Sequence, residues 1–134
     1  MILEQTFVLD TPPSTNNLFI NKKGGGRFKA PAYADWLKAA GWQLNAQRAK
    51  HMPGRVKVII RAIRVDNRRR DIDNIIKPVL DLLVKQKVIE DDRYVEAIAA
   101  EWSSSDLKGC SVTVVSLEAA EIEHDRQKAK STDH

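Results

Sequence analysis

Apolar and polar side chains alternate from Leu3 to Leu9, with Leu3, Phe7 and Leu9 on one side of the pleat and Glu4 and Thr6 on the other. A period of two marks a half-buried strand, and Pro12-Pro13 ends it because proline cannot donate to a ladder. Tyr33, Trp36, Leu37, Ala40 and Leu44 then recur at spacings of three and four, predicting a helix from Ala32 to Lys50 with Lys38 and Arg48 off its apolar stripe. Met52-Pro53-Gly54 is expected to stop it. From Arg55 to Val65 the period returns to two. Val56, Val58, Ile60 and Ala62 share one face there, while Arg55, Lys57 and Arg61 share the other. Ile75, Ile76, Val79, Leu82 and Leu83 trace a second helical face running to Gln86, for which Asp73 or Asn74 is the natural N-cap. Pro78 is tolerated if it falls in the opening turn. Strands at Tyr94–Trp102 and Cys110–Leu117, joined by the turn Ser103–Gly109, predict a hairpin. The order β-α-β-α-β-β, without internal repeat, implies an α+β fold: a single domain over residues 1–117 with a small mixed sheet and helices packed on it. The polar tail, residues 118–134, is expected to fray.

A length of 134 residues suits one domain with its own core. The 43% hydrophobic and 30% charged residues argue against wholesale disorder and against a fibrous chain. Apolar runs such as Val58-Ile59-Ile60 and Leu82-Leu83-Val84 are far too short to span a membrane. The apolar start carries Glu4 and Asp10, so no signal peptide is expected. Cys110 stands alone, which excludes an internal disulfide and a zinc cluster built on paired cysteines. A reducing cytoplasm is the expected compartment.

The net charge of +4 is modest, but it is unevenly spread. Nine basic residues between Arg48 and Arg70 face the single acid Asp66, a local net of +8 against −4 for the remainder. Such a stretch suits nucleic-acid phosphates, although a solvated charged face carries the same signature. Lys22-Lys23-Gly24-Gly25-Gly26-Arg27-Phe28-Lys29 is a second basic element. Its consecutive glycines do not match a spaced phosphate-binding loop, so a flexible surface loop able to drape over a polyanion is expected.

The segment richest in chemistry is Arg68-Arg69-Arg70-Asp71-Ile72-Asp73-Asn74-Ile75-Ile76-Lys77. In extended geometry Asp71 and Asp73 point the same way, and a hard cation such as Mg²⁺ takes carboxylate oxygens, waters and substrate phosphates. Lys77 follows Asp73 by four residues and Asp81 follows Lys77 by four, so one helical face can carry all three. Glu90-Asp91-Asp92 adds carboxylates before the next strand. Each piece alone also has a purely structural role open to it: Asp73 as a cap, Lys77 with Asp81 as a surface pair, Asp91-Asp92 as turn residues. Their combination, phosphate-attracting arginines beside metal-binding acids, is what metal-dependent phosphodiester cleavage requires. No nucleotide-binding glycine motif, nucleophile elbow or cysteine pair is present, and His51, His124 and His134 are scattered, so no nucleotide cofactor is expected.

These residues resemble the RusA family of Holliday junction resolvases, in which an Asp-x-Asp-Asn-x-x-Lys motif precedes an acidic pair some twenty residues later. Here the motif is Asp71, Asp73, Asn74 and Lys77, and the later pair is Asp91 and Asp92. Pro12-Pro13-Ser14-Thr15-Asn16 is similar to the Pro-Pro-Ser-x-Asn element after that family's first strand. The likeness runs from Leu3 to Leu117.

The resemblance implies a crossover junction endodeoxyribonuclease that makes paired symmetric nicks in a four-way DNA junction, in DNA repair and recombination. It implies Mg²⁺, with Mn²⁺ as a substitute, held by Asp71, Asp73 and Asp92 with Asp91 in support. It implies Lys77 as the cation needed for cleavage, Asn74 and Asn16 as supporting residues, and a homodimer. Arg68, Arg69 and Arg70 are expected to bind DNA. Two other readings stay open: a nuclease for other branched or flapped DNA, and a non-catalytic nucleic-acid-binding module.

Overall fold

The structure, a computed structural model, describes residues 3–13, 18–63, 72–103 and 109–118. Six strands and two helices follow in the order β1 (Glu4–Leu9), β2 (Phe19–Asn21), β3 (Arg27–Lys29), α1 (Pro31–Ala46), β4 (Val56–Ala62), α2 (Ile76–Lys85), β5 (Val95–Trp102) and β6 (Cys110–Ser116). Short 3₁₀ turns at Ile72–Ile75 and Asp92–Tyr94 precede α2 and β5. The α+β class with a small mixed sheet is therefore observed, with one additional hairpin, β2–β3, ahead of the first helix.

The main sheet runs β1-β6-β4-β5. Its inner face follows the alternation. Phe7 and Leu9 of β1, Val56, Val58, Ile60 and Ala62 of β4, and Cys110, Val112 and Val114 of β6 are all buried in one core with Leu44, Leu82 and Leu83 of the helices. Truncating a side chain at its centre, such as Ile60→Ala, costs about 2–5 kcal/mol. The outer face is mixed: Thr6 and Thr113 share a 2.9 Å hydroxyl contact and Arg61 pairs with Glu101, while Val8 is exposed beside them.

Two expectations about pairing fail. β5 and β6 do not form a hairpin: β5 runs parallel to β4, while β6 lies antiparallel between β4 and β1. A parallel pair needs a crossover, and α2 supplies it. The glycine-rich segment is not an open loop either, because β2 and β3 pair antiparallel across it, with the Lys22 amide donating to the Gly26 carbonyl at 2.8 Å. Gly24, Gly25 and Gly26 all have positive φ, which explains three glycines in a row without any phosphate.

Helix α1 also closes an open edge. Gln47 donates to the Val8 carbonyl and accepts from the Val8 amide, both at 2.8 Å, and Gln43 accepts from the Asp10 amide. A side-chain amide thus imitates the missing strand beside β1. The helix ends before Met52-Pro53-Gly54. Arg48 adopts positive φ, with its amide bonded to Asn45 and the Ala49 amide to Leu44, a Schellman ending. α2 ends the same way at Lys87. Glu118, first residue of the expected tail, accepts bonds from the Arg55 backbone and guanidinium, and the remainder of that tail, 119–134, lies outside the described residues.

Candidate active site

Ten residues long, α2 is sharply two-sided. Pro78, Val79, Leu82 and Leu83 are buried, while Lys77, Asp81 and Lys85 recur every fourth position outside that stripe. Neighbours one turn apart meet, and Lys77 Nζ lies 3.5 Å from Asp81 Oδ2. Neither Asp73 nor Asn74 caps the helix: both sit in the 3₁₀ turn, and Ile75 holds the capping position without a side-chain bond. Pro78 is third in the helix, where its missing N–H has no α-helical partner to lose.

The Schellman ending turns the chain back, burying Val88 and Ile89 and sending Glu90-Asp91-Asp92 toward the start of β5. Asp91 is extended and its Oδ1 accepts from the Arg93 amide at 3.1 Å, capping the second 3₁₀ turn. That backbone bond, helped by a bond with Asp92, holds the Asp91 carboxyl below its usual range. Asp92 moves the other way. Its bond with Asp91 and that neighbour's charge push it up, Asp81 adds to the push, and Lys77 opposes it. Asp91 is thus the charged acceptor and Asp92 the member that holds a proton more readily.

A cleft of about 360 Å³ opens between these elements. Asp81 and Lys85 of α2 form one wall with Asp91 and Asp92. Phe19 and Lys29 of the basic hairpin and Tyr33 of α1 form the other. The Tyr33 hydroxyl donates to Asp81 Oδ2 at 2.8 Å, and burial pushes this phenol above its ordinary range.

Of the residues expected to act, Lys77, Asp91 and Asp92 are brought within electrostatic reach of one another. Asp73 is exposed and Asn74 half-buried in the 3₁₀ turn that packs against β5. Asp71, Arg68, Arg69, Arg70 and Asn16 lie outside the described residues. Among the described residues, no three His, Cys, Asp or Glu side chains are gathered to hold a metal ion. Sequence reasoning missed Tyr33, which it placed only in an apolar stripe, and saw Asp81 only as a surface partner of Lys77. The four-residue spacing was a signal for Asp81. Tyr33, 48 positions from Asp81, left none.

Thiol chemistry is excluded, because Cys110 is buried and its thiol is pushed up to about 12. No helix among the described residues is long and apolar enough to cross a membrane. The α+β domain thus carries a cleft in which the carboxylates of Asp81, Asp91 and Asp92 meet the amines of Lys29 and Lys85. The family model described as endodeoxyribonuclease RusA matches residues 10–115. The crossover junction endodeoxyribonuclease RusA of Aquifex aeolicus (strain VF5) is 32% identical over 92 residues, covering 68% of this chain and 73% of that protein. The chain belongs to the RusA family of endodeoxyribonucleases.

Proposed function

We propose that this protein resolves Holliday junctions in the cytoplasm, nicking two opposed strands of a four-way DNA junction at symmetric positions with Mg²⁺ as cofactor. The observation that carries this reading is the meeting of Asp81, Asp91 and Asp92 at one cleft, with Lys77 paired to Asp81, in a chain of this family. The junction specificity in the name of the Aquifex aeolicus relative supports the substrate.

The donor chemistry fits a hard divalent cation. Asp81, Asp91 and Asp92 offer carboxylate oxygens to the cleft, and the crowding that pushes Asp92 up is what a nearby cation relieves. Asp71, Asp73 and Asp92 would hold Mg²⁺, or Mn²⁺ in its place, with Asp91 in support. When bound, such an ion lowers the pKa of water and offsets charge on the phosphate. Lys77 stabilises the charge that develops on the scissile phosphate. Asn74 and Asn16 support the site. Arg68, Arg69 and Arg70, with Lys22 and Lys23 of the hairpin, neutralise flanking phosphates. A junction offers two symmetric strands, so a twofold homodimer supplies the two sites required.

The test is cleavage of four-way junctions, flaps and linear duplex across a Mg²⁺ titration. Paired nicks confined to junctions are expected. Preference for flaps would replace this reading by a nuclease for other branched DNA, and binding without metal-dependent cleavage would leave a non-catalytic module. Replacing Arg68, Arg69 and Arg70 by Ala should flatten the slope of log affinity against log salt by roughly one unit for each phosphate no longer neutralised. An unchanged slope would remove those arginines from the DNA-facing surface.

A further inference from the structure

An exposed lysine samples many rotamers, and an ion pair one helical turn long holds it weakly in water. Lys77 is itself half exposed, but its partner is anchored. Its partner oxygen, Asp81 Oδ2, is the one that accepts the 2.8 Å bond from the Tyr33 hydroxyl. Tyr33 is 1% exposed, meets Phe19 edge-on with ring centroids 5.9 Å apart, and stacks on Trp36 at 6.4 Å. A ring packed on both sides has one position, so its hydroxyl is a fixed point projecting from α1 to α2. A carboxylate without that donor could rotate and offer either oxygen; with it, Oδ2 stays where Lys77 finds it. The phenol's raised pKa keeps it a donor at any working pH.

We propose that Tyr33 and Asp81 are positioning residues, which act through Lys77 by holding its ammonium at the Asp81 carboxylate that lines the cleft. The inference rests on the reading of Lys77 as a catalytic residue. It adds that the cation's placement is set by α1, a helix that contributes none of the expected acids.

Tyr33→Phe keeps the ring packing and removes one O–H. The decisive experiment combines Tyr33→Phe with Lys77→Ala and measures single-turnover cleavage of a four-way junction in Mg²⁺, junction affinity and thermal midpoint. Lys77→Ala should slow cleavage about 10²-fold. Tyr33→Phe alone should slow it about tenfold with affinity within about twofold, and should have no further effect once Lys77 is gone. Asp81→Asn still accepts from Tyr33 but lacks the charge, and its loss of rate should vanish in the same background. If Tyr33→Phe cleaves at the wild-type rate, or slows both backgrounds by the same factor, the positioning role is wrong. If Lys77→Ala itself cleaves normally, the catalytic reading of Lys77 falls and takes this proposal with it.

Discussion

Two regions of this protein hold opposite charges at partly exposed positions, and they are organised in opposite ways. At the end of the sheet, Arg55 and Glu118 satisfy each other: both carboxylate oxygens accept from the guanidinium, at 3.0 and 3.2 Å, and the Arg55 backbone amide adds a third bond. The Glu118 carboxyl is accordingly held below its ordinary range, chiefly by these side-chain bonds. In the cleft, Asp81, Asp91 and Asp92 stand close enough that Asp92 is pushed up, with Lys77 only partly relieving it. The first region is tied up in hydrogen bonds, with Glu96 also 3.7 Å from the Arg55 guanidinium, and it fastens Glu118 to the start of β4. The second keeps an electrostatic conflict, and unresolved like charge in a cleft is the condition that an incoming cation, proton or phosphate can change. Asp91 belongs to both kinds, since its backbone cap is satisfied while its side chain crowds Asp92.

The largest expected effect comes from removing the conflict. Asp92→Asn, and likewise Asp73→Asn, should lower single-turnover cleavage by about 10²-fold or more in Mg²⁺, while junction binding persists because negative charge has been removed. Near wild-type cleavage by Asp92→Asn would break the assignment of the cleft, and by Asp73→Asn that of the metal ligands. In metal-free buffer Asp92→Asn should raise the thermal midpoint at neutral pH, and Mg²⁺ should then stabilise the wild type more than the variant.

The satisfied pair should answer with the opposite sign. Glu118→Gln is expected to lower the midpoint by a few degrees at neutral pH and to leave cleavage unchanged. An equal loss of cleavage would show that the sheet corner and the cleft are coupled.

The smallest effect, and the sharpest discriminator, is the dependence on pH. Because folding lowers the Glu118 pKa from 4.5, its stabilisation is complete above that value and is lost as pH falls through the folded pKa. The deficit of Glu118→Gln should therefore shrink on acidification. Folding raises the Asp92 pKa from 3.8, so its penalty grows as pH climbs through the folded value and is absent below 3.8. The metal-free gain of Asp92→Asn should vanish there. Thermal melts across the acid range check both, and parallel curves for the two variants would erase the distinction.

What could be read along the chain was burial. The period of two in Val56, Val58, Ile60 and Ala62 and the period of 3.6 in Tyr33, Trp36, Leu37, Ala40 and Leu44 put on the inside residues that are buried, because water expels apolar side chains whatever they pack against. Local chemistry was legible for the same reason. Lys77 and Asp81 meet through helical geometry alone, and Asp91-Asp92 were visible as a turn. Partnership across the chain was not legible. Alternation reports a buried face in β6, and in neither β5 nor β6 does it say which strand lies alongside, so the predicted hairpin gave way to β5 beside β4 and β6 between β4 and β1. The glycine run signalled a turn without revealing the short strands β2 and β3 that flank it.

The sequence by itself determined the class of fold, the inward faces of β1, α1, β4 and α2, the motif of Asp71, Asp73, Asn74 and Lys77, and the later pair Asp91 and Asp92. These depend on side-chain type and on spacings within a few residues. Only the tertiary structure decided that Asp81 stands beside Asp92, that the basic hairpin lines the same cleft through Lys29, and that a buried tyrosine on α1 anchors the partner of Lys77. Those contacts join residues up to dozens of positions apart. Their geometry is set by how two helices settle on one sheet, for instance where the Gln86 side-chain amide at the end of α2 lies so close over Gly41 of α1 that a Cβ there would meet it at 2.6 Å. Local periodicity carries no record of that approach, because it is a property of the packed core as a whole.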